Sequence, residues 1–137
     1  MNQSELEKYL WGAATSLRGK IDAGDYKQYI FPLLFLKRIC DVYDEELSQA
    51  LKNSGGDIEY AKFSENHRFQ VPEKSHWSKI REKTVNLGYS IQKSMSLIEK
   101  ANPHTLTGIF GDASWTNKNR LSDENLINLI EHFSMRD

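Results

Sequence analysis

Apolar residues recur along most of this chain at intervals of three and four, the spacing that keeps side chains on one face of an α-helix. Ser4 and Glu7 stand at capping-box spacing, and Leu6, Leu10, Ala13 and Leu17 follow along one stripe, which predicts a first helix ended by Gly19. A second helix is predicted from an Asp25 cap, with Gln28 at its third position, to about Leu51. Its inner side would carry Tyr29, Leu33, Leu36, Cys40, Tyr43 and Leu47, with Leu36 at the centre of the packing. Ile30 to Leu36 has almost no polar residue, so this stretch is expected to be covered on more than one side.

Pro32 falls inside that helix, where it lacks the N–H that would bond Gln28 and crowds the same carbonyl, so a kink is expected. Two readings of the kink stay open. The helix bends around its core, or the bend aims Asp25 to Gln28 at a partner. Asn53 to Asp57 reads as a turn, followed by an irregular stretch through Val71 and Pro72. Ser75 is expected to cap a short helical piece containing Trp77, Ile80 and Arg81. A longer helix, from about Asn86 to Ala101, places Leu87, Ile91, Met95 and Ile98 on one stripe and closes at Asn102-Pro103. Leu106 to Trp115 suggests a loop folding back onto the bundle. The last helix starts at a Ser122 cap, with Leu121 and Leu126 as a hydrophobic staple and Ile127, Leu129, Ile130 and Phe133 on the buried face. The pattern predicts an all-α fold, a compact helical bundle of about four to six helices with irregular connecting loops.

Composition agrees with one globular domain. The 137 residues are 39% apolar and 27% charged, and no Pro-rich, Gly/Ser-rich or like-charge block divides them. With 18 Lys plus Arg against 19 Asp plus Glu, the chain is not a mass binder of nucleic acid, although a local basic face is compatible with that balance. The charge is uneven. Residues 1–50 carry six basic and eight acidic side chains, whereas residues 61–100 carry eight basic and four acidic ones, which makes the middle the place to look for phosphate contacts. Asn2 to Lys8 is too polar for a signal peptide, and Tyr29 to Leu36 is far shorter than the ~20 residues of a membrane span.

Residues able to carry catalysis are present without the arrangement it needs. Cys40 is the lone cysteine, so no internal disulfide forms, and it reads as a buried, inert thiol. His67, His76, His104 and His132 are scattered, with no pair at short metal-ligand spacing. Glu5 with Glu7, and Glu45 with Glu46, fall in predicted helices where carboxylates are ordinarily solvated. Gly108-Ile109-Phe110-Gly111 has neither the glycine count nor the strand–loop–helix context of a phosphate loop.

Several segments are more specific than this. They are Arg18-Gly19-Lys20, Asp25-Tyr26-Lys27, Phe35-Leu36-Lys37 with Asp41, Pro72 to Trp77, and Ile98-Glu99-Lys100-Ala101-Asn102-Pro103. Together they resemble the N-terminal helical domain of the modification (DNA methyltransferase) subunit of type I restriction-modification systems. The resemblance implies that residues 1–137 form that single domain, packed in the parent beside a catalytic domain absent from this chain and helping the subunit close around DNA. It implies S-adenosylmethionine as the parent's cofactor for adenine N6 methylation, with none held by this fragment. It also implies a cytoplasmic assembly of specificity subunit, second modification subunit and restriction subunit on double-stranded DNA. Neither the family's glycine-containing cofactor motif nor its Asn-Pro-Pro-Phe/Tyr motif occurs here. Asn102-Pro103-His104-Thr105 lacks the second proline and the aromatic residue that would stack on a flipped base, so the fragment itself is expected to be non-catalytic.

Arg18 and Lys20 from the family-like turn, and Lys74, Lys79, Arg81 and Lys83 from the basic middle, are the candidates for DNA-backbone or subunit contacts. The competing reading is that they keep the bundle soluble or pair with Glu73 and Glu82. A different class of function is a free-standing helical adaptor that binds protein and has no DNA role. The two classes separate on whether the basic side chains converge on one face.

Overall fold

The computed structural model describes residues 2–6, 8, 12, 26–117 and 121–134. Five α-helices follow one another among residues 26–134: α1 Tyr26–Asn53, α2 Ile58–Ala61, α3 Trp77–Arg81, α4 Leu87–Ala101 and α5 Asp123–Ser134. Short 3-10 turns lie at Ser64–Asn66 and Glu73–Ser75, and no strand occurs among the described residues. The all-α expectation holds.

Near the start, Gln3 to Leu6 are helical, and the cap sits two residues earlier than Ser4. Asn2 Oδ1 accepts from the Glu5 N–H at 2.8 Å, and Glu5 Oε2 accepts from the Asn2 N–H at 3.4 Å. Asn caps as well as Ser, and Asn2–Glu5 has capping-box spacing; Glu7, the predicted partner of Ser4, lies outside the described residues. The predicted residues Leu10, Ala13, Leu17 and Gly19, and the Asp25 cap, lie outside the described residues.

The 28-residue helix α1 continues through Pro32 without ending there. Tyr29, Leu33, Leu36 and Cys40 are buried as predicted, Leu36 completely, and Tyr43 packs against the core edge. Full burial of each such aliphatic side chain contributes about 1.5–3 kcal/mol, which makes this stripe the main anchor of the bundle. The Ile30–Leu36 stretch, expected to be covered on more than one side, leaves one side open. Phe31 and Phe35 are 36% and 40% exposed. They stand one helical turn apart on the side away from Leu33 and Leu36, and they stack on each other with ring centroids 6.4 Å apart.

α1 packs against α2, α3 and α5, while α4 packs against α3, α5 and the Glu73–Ser75 turn, so α5 joins the two long helices. Leu87, Ile91, Met95 and Ile98 of α4, and Leu126, Leu129, Ile130 and Phe133 of α5, are buried at this junction. Ser122 caps α5: its Oγ accepts from the Asn125 N–H at 3.2 Å and donates to Asn125 Oδ1 at 2.7 Å, with Leu121 and Leu126 both buried beside it. The cap of α4 comes from elsewhere in the chain. Asn86 takes the left-handed conformation (φ 53°), and the Asp123 carboxylate accepts from the Asn86 and Leu87 N–H groups at 3.1 and 3.0 Å.

One connection departs from the irregular loops expected, and another is as expected. The stretch after the Asn53–Asp57 turn winds into α2, whose first turn Asp57 caps by accepting from the Tyr60 N–H at 3.1 Å. At the other end, the segment after α4 does fold back. Leu106, Phe110 and Trp115 enter the core, and Trp115 meets Tyr29 edge to face at 5.0 Å. A Cβ at Gly88 would stand 1.7 Å from the Trp115 carbonyl oxygen, so only glycine lets α4 approach this loop. Asn102 ties the same helix end to the middle of the chain. Its Oδ1 accepts from the Gln70 N–H at 2.7 Å, and its Nδ2 donates to the Gln70 and Ile98 carbonyls at 2.7 and 2.8 Å.

Candidate nucleic-acid interface

The basic middle of the chain is organised by α3, which is only five residues long and depends on its ends. Its cap is His76 rather than Ser75. Ser75 belongs to the preceding 3-10 turn and is wholly buried, whereas His76 Nδ1 accepts from the Ser78 N–H at 3.0 Å. With Nδ1 occupied as an acceptor, the ring proton is on Nε2, which donates to Asp44 Oδ1 of α1 at 2.8 Å. The buried side of α3 is Trp77 and Ile80. Trp77 is pinned through its indole N–H to Ser134 Oγ at 2.8 Å and through its backbone N–H to Cys40 Sγ at 3.4 Å. Burial pushes the Cys40 thiol up to about 12, so this cysteine is an inert packing group.

Anchoring Trp77 and Ile80 inward turns Lys79 outward, and Lys83 follows just past the helix end. Across from them, burial of the Leu87–Ile98 stripe of α4 leaves Tyr89, Ser90 and Lys93 on the side facing α3. Between the two helices lies a groove of about 300 Å³, lined by Lys74, Lys79, Lys83 and Lys93, with Ile80, Leu97 and Tyr89 supplying apolar surface. Lys74 arrives from the Glu73–Ser75 turn, which packs on α4. Tyr89 is 58% exposed, and the Lys93 ammonium lies 5.9 Å from its ring centroid. Among the described residues, none of these four lysines is ion-paired to a carboxylate.

Three of the sequence candidates, Lys74, Lys79 and Lys83, therefore meet in one groove. Arg81 does not join them. It forms a two-pronged pair with Glu131 of α5, Nε to Oε1 and Nη2 to Oε2 both at 2.9 Å, which raises the guanidinium further and holds the Glu131 carboxyl below its ordinary value. Its partner is thus neither Glu73 nor Glu82. Arg18 and Lys20 lie outside the described residues. Lys93 is the member that sequence reasoning missed. Its signal was its place four residues after Tyr89 on the polar side of a recognised helix, but the facing element becomes visible only once α3 has packed.

The other candidate chemistries stay apart. No group of three or more metal-ligating side chains forms among the described residues. His67 is buried and stacked on Tyr43 at 4.0 Å, with Nε2 bonded to the Ala61 carbonyl at 2.8 Å. The Gly108–Gly111 turn is held by a bond from the Gly108 N–H to Glu99 Oε1. No described helix is long and apolar enough to cross a membrane.

The family model for the HsdM N-terminal domain matches residues 6–133, nearly the whole chain and all of the groove. The chain belongs to that family. HsdM is the modification subunit of type I restriction-modification systems, and the bundle described above is its N-terminal domain. No curated protein matches the chain. In this HsdM domain the family-like segments read from the sequence have structural tasks. Leu36 fills the core, Lys37 Nζ is clamped by both oxygens of Asp41 at 2.7 Å, and Asn102 brackets Gln70.

Proposed function

We propose that this HsdM N-terminal domain supports subunit assembly and closure around DNA in an adenine-specific type I methyltransferase, and that the lysine groove between α3 and α4 rests on the phosphate backbone. The observation that carries the reading is the convergence of Lys74, Lys79, Lys83 and Lys93 without carboxylate partners among the described residues. Such ammonium groups position DNA and release counterions without reading bases, so target choice belongs to a specificity subunit. Methyl transfer from S-adenosylmethionine to adenine N6 belongs to a downstream domain, and the restriction subunit and a second modification subunit complete a cytoplasmic assembly.

The test is made in the modification complex assembled with its specificity subunit. Replacing Lys79, Lys83 and Lys93 with Gln weakens binding about equally for cognate and unrelated duplexes and makes the slope of log affinity against log salt shallower by about 0.9 per lost contact. An unchanged slope in an intact assembly refutes the DNA contact. Loss of subunit association instead would favour a protein adaptor, a reading that also draws on the exposed pairs Phe31–Phe35 and Tyr60–Phe63.

A further inference from the structure

A groove that only held duplex phosphates would need ammonium groups and little else, since protein–DNA backbone contacts are polar and wet. This groove has more. Buried Ile80 and half-buried Leu97 line it, and Tyr89 stands at its side with more than half of its surface open. Lys93 within 6 Å of the ring adds a cation–π contact that holds ring and ammonium together as one surface. Its volume of about 300 Å³ lies at the small end of the range for ligand clefts. In duplex DNA both faces of each base are covered by neighbours and unavailable to a tyrosine. An unpaired base offers a π-face of any sequence, and stacking it on an exposed aromatic beside a cationic track is how single strands are held.

We infer that the groove takes one unpaired nucleotide of a DNA strand, its phosphate on Lys79, Lys83 and Lys93 and its base on Tyr89. The inference rests on the reading that this face meets DNA, and it deepens that reading by naming the form of DNA engaged. Lys74, which also lines the groove, takes the neighbouring phosphate.

Fluorescence anisotropy separates the terms. The protein is titrated with a short labelled oligothymidylate and with an abasic strand of equal length and charge. The expected result is a preference of roughly 5- to 150-fold for the strand that carries bases, the range that corresponds to one stacked base. Tyr89→Ala removes that preference, Tyr89→Phe keeps it, and replacement of Lys79, Lys83 and Lys93 by Gln weakens both strands and lowers the salt slope. Because Tyr89 is exposed, the alanine variant is expected to keep the wild-type melting curve. Thymidine monophosphate distinguishes a strand from a free nucleotide: failure to compete supports the strand, while competition at equal concentration overturns it. Equal affinity for the two strands, or a preference that survives Tyr89→Ala, overturns the stacking site. Duplex binding that still weakens in the lysine variant would then leave the backbone reading standing. Tyr89-dependent strand binding with no lysine effect on the duplex would have the opposite outcome.

Discussion

Replacing Asn102 with Ala removes one side chain and three hydrogen bonds from a site where little water enters. The residue is 7% exposed, and its amide serves the Gln70 N–H, the Gln70 carbonyl and the Ile98 carbonyl at 2.7, 2.7 and 2.8 Å. Each bond contributes a net ~0.5–1.5 kcal/mol, and an N–H left buried without a partner costs about 1–3 kcal/mol, so a loss of about 2–4 kcal/mol is expected. With an unfolding entropy of roughly 2.1 cal/mol/K per residue, each kcal/mol moves the melting midpoint of a domain this size by about 3.5 °C. The midpoint should therefore fall by roughly 7–14 °C in calorimetry or circular dichroism. Asn102→Asp sharpens the test. The carboxylate keeps an acceptor for the Gln70 N–H but turns its other oxygen towards two carbonyls, which opposes ionisation and raises the folded-state pKa above the unfolded value. The ionisation penalty is then absent below the unfolded pKa and grows as pH rises through the folded one. A midpoint within about 2 °C of wild type for Asn102→Ala, or an Asn102→Asp penalty independent of pH, would refute the bracket as a source of stability.

Three further expectations follow from the packing and the charges. Leu36→Ala should cost about 2–5 kcal/mol in urea melts, because the side chain is fully buried at the centre of α1, whereas a change below about 0.5 kcal/mol would place it outside the core. Gly88→Ala should destabilise by about 1–3 kcal/mol and alter the near-UV signal of Trp115, since its Cβ has nowhere to go but into the Trp115 carbonyl; wild-type spectra and stability would show that α4 and the loop are not in contact. Glu131 should titrate below its ordinary value by NMR and return towards it in Arg81→Ala. Being depressed in the folded state, it contributes stability above the unfolded pKa that is lost as pH falls through the folded one, and an unmoved titration in the variant would dissolve the pair.

What the chain revealed in advance was whatever depends on near neighbours. The Leu87–Ile91–Met95–Ile98 stripe and the Ser122 cap with its Leu121–Leu126 staple could be read because helix periodicity and capping act within a turn or two. Phe31 and Phe35 misled because an apolar run reports composition, while the side of a helix that is covered depends on what packs there. The His76 cap was hidden for a related reason, since the tautomer that lets Nδ1 accept is held by Asp44, thirty-two residues earlier. The groove shows the same division. Lys74, Lys79 and Lys83 are close in sequence and can be read together, Arg81 looks like one of them along the chain but is held by Glu131 fifty residues later, and Lys93 joins them only through the fold.

The carboxylate of Asp123 begins α5 and at the same time closes the first turn of α4, thirty-six and thirty-seven residues away. The start of one helix is thereby conditional on the docking of another that is made later in synthesis. Until α5 seats, the Asn86 and Leu87 amides lack the Asp123 carboxylate, so their hydrogen exchange should follow the opening of α5 rather than fraying of α4 alone. The side of α4 that carries Tyr89 begins two residues beyond those amides. The shape of the groove is consequently timed by the far end of the domain, and a disturbance of α5 would be felt there first as a loosened helix start.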